Sequence, residues 1–454
     1  MKNTLLLPLS VCFFHLNAQQ YKNDICEDCQ IQCLCKESFG ELLSAESARK
    51  IIKSNWTDFF DNDLEEIFPA PKEVKAIDLK FDGLGCIYPD FSIKQLQNEF
   101  IDEDVCDKKL AKETFYHLYN ETVSNPDMAK PSVQEFIANT DLKNTYKTLK
   151  NGEIEYFSFI EAWNNKFIPK KIREIDSVIA TNPIKKLIIF IHGFNVPYSL
   201  AQIQGNVLID SILALEPSLE PQNILLLRLF WPSGNYKDSI FEQNYCDFSN
   251  IEKLGTVTQY TYQSNRAYLA GLALRTILSD MEYAGRIDVI THSHGSNVIT
   301  SALINTASKF QGGRVTDSLK VYMQSLSFPN KEIHVFLNAP SIPGQNTFID
   351  IENNGTSKKY YYFIGYNNMD RTLLKQKAKL FNIVLPIRLP AYLSSTTLGC
   401  NRRQEVFKTK EIMEKKGLSE NYSFGVDSFQ KEHDFFCYLR QKEFLTNLRT
   451  FLNN

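Results

Sequence analysis

Ser293 sits in His292-Ser293-His294-Gly295, after a run rich in β-branched residues at 287–291 and before Val298, Ile299, Ala302, Leu303 and Ala307 at helical spacing. The order is strand, sharp turn, helix, with the hydroxyl at the apex. Such a turn lifts a serine clear of the sheet, and the helix N-terminus behind it favours developing negative charge. The chemistry this suits is nucleophilic attack on a carbonyl carbon. Thr291 departs from the pattern, because glycine is preferred two residues before the serine for lack of room. Read blandly, the tetrad is an ordinary turn. A nucleophilic serine needs a base, and the base an orienting carboxylate; in this build they follow in the order serine, acid, histidine. After His294 only His334 and His433 remain. His334 lies inside an apolar run and reads as a packed residue. His433 lies in a polar turn leading into an apolar segment and is the candidate base. Asp370, past the run 360–366 and the turn 367–369, is the leading acid, with Asp350 as its rival. Each also reads as a helix-capping or turn aspartate.

Upstream, 187–191 is continuously apolar and ends in His192-Gly193-Phe194-Asn195, with a helix-like segment from Ser199 onward. A second strand-terminal turn on a neighbouring strand is where such a site keeps part of its oxyanion hole. The main-chain amides of Phe194 and His294 are the expected donors. His192, Asn195 and Trp231 are candidates for the substrate pocket; His192 reads equally as a turn former, and Trp231 as a residue stacked over the fold. Taken together, His-Gly-Phe-Asn, Trp231-Pro232-Ser233-Gly234 and His-Ser-His-Gly resemble a bacterial family of α/β-hydrolases of unknown function. Asn338-Ala339-Pro340 after a fourth run and Asp370-x-x-Leu373 after a fifth fit the same family. The resemblance covers 184–380 well, 425–440 thinly, and the first 180 residues not at all. It implies an α/β-hydrolase fold and a serine nucleophile, with Asp370 matching the family's aspartate. It implies no substrate.

The elements that must position these residues begin at Pro183. Near-continuous apolar runs at 187–191, 224–230, 287–291, 333–337 and 360–365 alternate with helical segments, notably 260–280. Runs of that kind belong to a parallel sheet buried on both faces, whose strands share one carboxyl edge. The expected architecture is therefore a three-layer, mostly parallel α/β sheet over 181–454, with an insertion near 382–424. Within the insertion 409–416 reads as a short helix; 422–426 reads as a strand and 435–452 as a last helix. Residues 19–180 form a mainly helical, cysteine-containing accessory region, in which 74–81 reads as a strand and 154–168 as a segment packed on the sheet.

Residues 1–18 have a lysine near the start, a short apolar stretch and Ala18 at the end, the pattern of a secretory signal peptide. The expected location is periplasmic or extracellular, with surface association left open and no transmembrane segment in the mature chain. Nine of the ten cysteines lie beyond that leader, four of them in Cys26-x-x-Cys29-x-x-x-Cys33-x-Cys35. In an exported chain this knot points to disulfides ahead of a metal site. A formal charge of -3, with lysines spread out, speaks against a nucleic-acid partner. No zinc motif, phosphate loop or nicotinamide fingerprint is present, so no cofactor and no metal are implied. The functional expectation is a serine hydrolase acting on a small or lipid-like acyl substrate. The alternatives are an acyltransferase using the same residues, or a binding or structural protein that keeps the fold without the chemistry.

Overall fold

Seven runs rich in Ile, Leu, Phe and Tyr pair into one sheet: β1 (Lys75–Lys80), β2 (Lys186–Ile191), β3 (Ile224–Phe230), β4 (Ile287–His292), β5 (Ile333–Asn338), β6 (Tyr360–Tyr366) and β7 (Tyr422–Val426). The structure is a computed structural model that describes residues 70–81, 85, 87, 156–194, 196, 198–231, 233, 256–306, 317–351, 355–374, 379–380, 383–384, 398–429 and 433–454. The leader at 1–18, Cys26, Cys29, Cys33, Cys35, Cys86, Cys106, Cys246 and the helical segments expected between 36 and 150 lie outside the described residues. The strand order is β1-β3-β2-β4-β5-β6-β7, and every pairing is parallel. All carboxyl ends therefore meet along one edge, as the apolar runs predict.

The described helices are α1 (Tyr156–Thr181), α2 (Tyr198–Leu215), α3 (Thr256–Asp280), α4 (Gly295–Ile304), α5 (Asp317–Ser325), α6 (Gly344–Phe348), α7 (Arg371–Leu374), α8 (Glu405–Lys415), α9 (Phe435–Tyr438) and α10 (Lys442–Asn453). Strand residues alternate between two cores. Leu187, Ile189 and Ile191 pack with Ile175 of α1, Leu272 of α3 and Val298 of α4. Ile188 and Phe190 pack with Val207 of α2, Phe435 of α9 and Phe444 of α10. Each such side chain contributes about 1.5–3 kcal/mol on full burial, which is why both faces of the strands read as apolar.

Two pieces upstream of residue 181 belong to these layers. β1 extends the sheet beyond β3, with Asp78 opposite Arg228 in register. Arg228 Nε lies 2.6 Å from Asp78 Oδ1, and its Nη1 donates to Asn206 Oδ1 of α2 at 2.9 Å. A pair this buried fixes the strand's register, because a one-residue slip would strand both charges. α1 lays Phe167, Ile168 and Ile175 on the first core.

Downstream, 398–421 is built into the fold: Leu398, Val406 and Met413 are buried, and α8 starts four residues earlier than its periodicity predicts. The expected last helix is two, broken at 439–441. Among the described residues no helix is long and apolar enough to cross a membrane.

Candidate active site

β4 runs straight into the turn that carries Ser293. Ser293 has φ 51°, the left-handed region that an L-residue enters only when its surroundings compel it. They do so through three main-chain contacts. The Ser293 amide donates to Asn338 O at 2.9 Å, and Ser293 O accepts from the amides of Ser296 (3.2 Å) and Ser341 (3.1 Å). Gly295, which opens α4, is required by close approach: a Cβ there would stand 2.5 Å from His192 O and 2.7 Å from Ile191 O. Thr291, where a glycine is usual, is fully buried between Ile191 of β2 and Leu337 of β5. Its hydroxyl has no hydrogen-bond partner among the described residues.

His433 comes to this serine from 140 residues downstream, its Nε2 2.6 Å from Ser293 Oγ. Its Nδ1 lies 2.5 Å from Asp370 Oδ2. The carboxyl of Asp370 is fully buried, at the N-terminus of α7 just past β6. Its Oδ1 accepts from the amides of Thr372 (2.9 Å) and Leu373 (3.0 Å), and its Oδ2 also accepts from Tyr438 Oη at 2.9 Å. Asp350 is exposed after α6 and is not the histidine's partner. His334 is half of a pair with Glu332 (2.9 Å) at the opposite, amino edge of the sheet.

The second turn abuts the first. A Cβ on Gly193 would meet Ser293 Cβ at 3.2 Å, so the His192–Phe194 loop lies directly against the serine. His192 and Trp231 hold that loop between them. His192 Nδ1 donates to Gly193 O at 3.0 Å, its Nε2 accepts from the Trp231 amide at 3.3 Å, and Trp231 Nε1 donates to His192 O at 3.1 Å. The two rings stack with centroids 5.7 Å apart. Across a trans peptide, C=O and N–H point in opposite directions. Anchoring Gly193 O on His192 therefore turns the Phe194 amide to the other side of the loop. Phe194 in turn meets the His294 ring edge-on. Of the candidate pocket residues, His192 and Trp231 are buried in this mutual lock; Asn195 lies outside the described residues.

A parallel sheet of this strand order carries a strained serine turn after its central strand, an acid two strands along and a histidine beyond the last strand. Residues 170–380 match the model of a family described as alpha/beta hydrolase of unknown function (DUF900). The fold is that of an alpha/beta hydrolase. No curated protein and no solved structure matches the chain.

Beneath the Ser-His-Asp line the hydrolase sheet holds further polar groups that sequence reasoning missed. Asp427, one residue past β7, is fully buried, and burial lifts its carboxyl to about 7 against the opposing bonds from Asn447 and Asn338. Asn338 Nδ2 donates to its Oδ2 at 2.6 Å and Asn447 Nδ2 to its Oδ1 at 2.9 Å. The signal for Asp427 was its place: like Ser293, it directly follows a strand on the carboxyl edge. Tyr438 gave no signal, since it sits in an apolar segment and reads as core. His192 is held down to about 4, by burial first, against its bond to Gly193 O. His292 is pushed well below the ordinary histidine range, first by burial and then by the neighbouring His433. Its ring packs 4.9 Å from that of His433, centroid to centroid. Among the described residues no group of three or more His, Cys, Asp or Glu is arranged to hold a metal ion.

Proposed function

We propose that this alpha/beta hydrolase is a serine hydrolase of esterase or lipase type, cleaving an ester, thioester or amide through an acyl-enzyme on Ser293. The observation that carries the reading is the hydrogen-bonded line from Ser293 Oγ through His433 to the buried Asp370. Ser293 Oγ attacks the carbonyl carbon while His433 Nε2 takes its proton. The tetrahedral oxyanion is held by the amides of Phe194 and His294, each worth about 3–4 kcal/mol where such donors have been removed. His433 then protonates the leaving group, and water, activated by the same nitrogen, releases the acid. Asp370 holds the imidazole in the Nδ1–H tautomer and stabilises the imidazolium.

Labelling with a fluorophosphonate, followed by peptide mapping, tests this directly. The expected result is stoichiometric modification of Ser293, with turnover of p-nitrophenyl esters lost in parallel. An unmodified protein that turns over no ester would leave the non-catalytic alternative standing. The acyltransferase variant uses the same atoms with an alcohol or amine in place of water. Product analysis with a competing nucleophile separates the two.

A further inference from the structure

Asp427 lies on β7's side of the sheet's carboxyl edge and Ser293 on β4's, with β5 and β6 between them. A short chain of hydrogen bonds nevertheless joins the two. The Asp427 amide donates to Tyr366 O at 2.8 Å, which seats the residue against the end of β6. From there its carboxyl lies across Gly365 of β6. Any side chain at 365 would collide with both carboxyl oxygens, so the glycine is what lets the carboxyl reach over the strand. Beyond Gly365 it meets Asn338 Nδ2 on β5, at 2.6 Å. Asn338 O is the acceptor for the Ser293 amide. Asn447 of α10 holds the other carboxyl oxygen and also donates to Val426 O, at 2.9 Å each, so the bridge is braced from the helix side.

We propose that Asp427 is a positioning residue for the nucleophile turn: its carboxyl, laid over Gly365, holds Asn338, whose main-chain carbonyl holds Ser293 in its left-handed conformation. The proposal rests on the reading of Ser293 as the nucleophile. A residue at φ 51° relaxes unless something over-determines it. The next residue after Asn338, Ala339, is itself left-handed at φ 42°, so the segment that Asn338 anchors carries strain of its own. A fixed Asn338 side chain ties both strained turns to the far edge of the sheet. Asp427 touches neither substrate nor the reacting atoms, so its effect falls on the reaction step and not on binding.

The experiment is a double-mutant cycle on the full chain, with kcat and KM for a p-nitrophenyl ester and the fluorophosphonate labelling rate as readouts. D427A and N338A are each expected to lower kcat about tenfold with KM within about twofold, and the double variant to be no slower than either, because both cut the same link. D427N is expected to recover most of the rate: a flip of the Asn338 amide turns its Oδ1, which has no partner among the described residues, towards the new amide as acceptor, while residue 427 still accepts from Asn447. A merely structural aspartate predicts additive losses and a KM that moves with kcat; either result overturns the proposal. Should D427A not fold, N338A decides alone, and an unchanged kcat there overturns it too. A wild-type protein that is not labelled at Ser293 fails the hydrolase reading itself, whereas labelled wild type with D427A at full rate fails only the bridge.

Discussion

Asp370 divides two tasks between its two oxygens, and the division can be tested one oxygen at a time. Oδ1 caps α7 through the amides of Thr372 and Leu373, while Oδ2 faces His433 and Tyr438. Asparagine is as good a cap as aspartate, and loss of a cap costs about 1 kcal/mol. D370N should therefore keep the wild-type melting temperature but lose several orders of magnitude in kcat, because an amide disturbs the histidine's tautomer. D370A should lose rate and stability together. Equal melting temperatures for the two variants would show that the cap is not a stabilising contact here. Tyr438→Phe removes a single donor to Oδ2, a bond of about 1–1.5 kcal/mol, so turnover should fall about tenfold. A Y438F enzyme with full rate would mean that the remaining donors hold the carboxyl unaided. Ser293→Ala and His433→Ala should each abolish ester turnover with the fold intact, and their losses should not add.

Helix α4, which follows Ser293, is positioned by α3 as much as by its own strand. Gly271 of α3 lies so close to Val298 O that a methyl there would clash with main chain. One turn on, Arg275, fully buried, donates through Nε to Ala302 O (2.9 Å) and through Nη2 to Ser301 O (2.6 Å) and Asn305 Oδ1 (2.9 Å). These groups end α4, where a cation suits both the orphan carbonyls and the helix dipole. Arg275→Leu leaves buried carbonyls unsatisfied at about 1–3 kcal/mol apiece, so denaturant titration should show a loss of several kcal/mol. Retention of wild-type stability would show that water replaces the guanidinium. These contacts also mark the limit of what can be read from sequence. The strands were legible because burial on both faces leaves no polar alternation, and Ser293, Asp370 and His433 because each follows such a strand in a polar turn. Asp427 and Asn338 meet across 89 positions and Arg275 reaches α4 from 26 away, with no local pattern to announce either pairing. The start of α8 was missed for a similar reason: Asn401 Oδ1 takes the first-turn Val406 amide at 3.1 Å, a contact set by the packed 398–404 segment and not by periodicity.

At the scale of the whole molecule, the polar groups buried under the site make folding stability depend on pH in two opposite senses. His192 has its folded value lowered from 6.5 to about 4. Above pH 6.5 it is neutral in both folded and unfolded chains. As pH falls from there towards 4, the unfolded chain takes a proton that the folded one refuses, and about 3 kcal/mol of stability is lost. His292, lowered further by burial and by His433, adds a loss of the same sign. Asp427 runs the other way, raised from 3.8 to about 7. Its contribution is fully present below pH 3.8 and is lost as pH rises through 7, by about 4 kcal/mol in all. Between pH 6 and 8 the histidine and aspartate slopes nearly offset each other, so the wild-type protein should show a broad, flat stability maximum across neutrality. D427N removes the falling limb and leaves the histidines. Its stability should therefore climb by about 1–2 kcal/mol from pH 6 to 8 and exceed that of wild type above pH 7. Urea titrations of both proteins at half-unit steps from pH 4 to 9 read this out directly. If D427N and wild type trace parallel curves between pH 5 and 7, Asp427 is ionised in the folded protein over that range and burial does not raise its carboxyl.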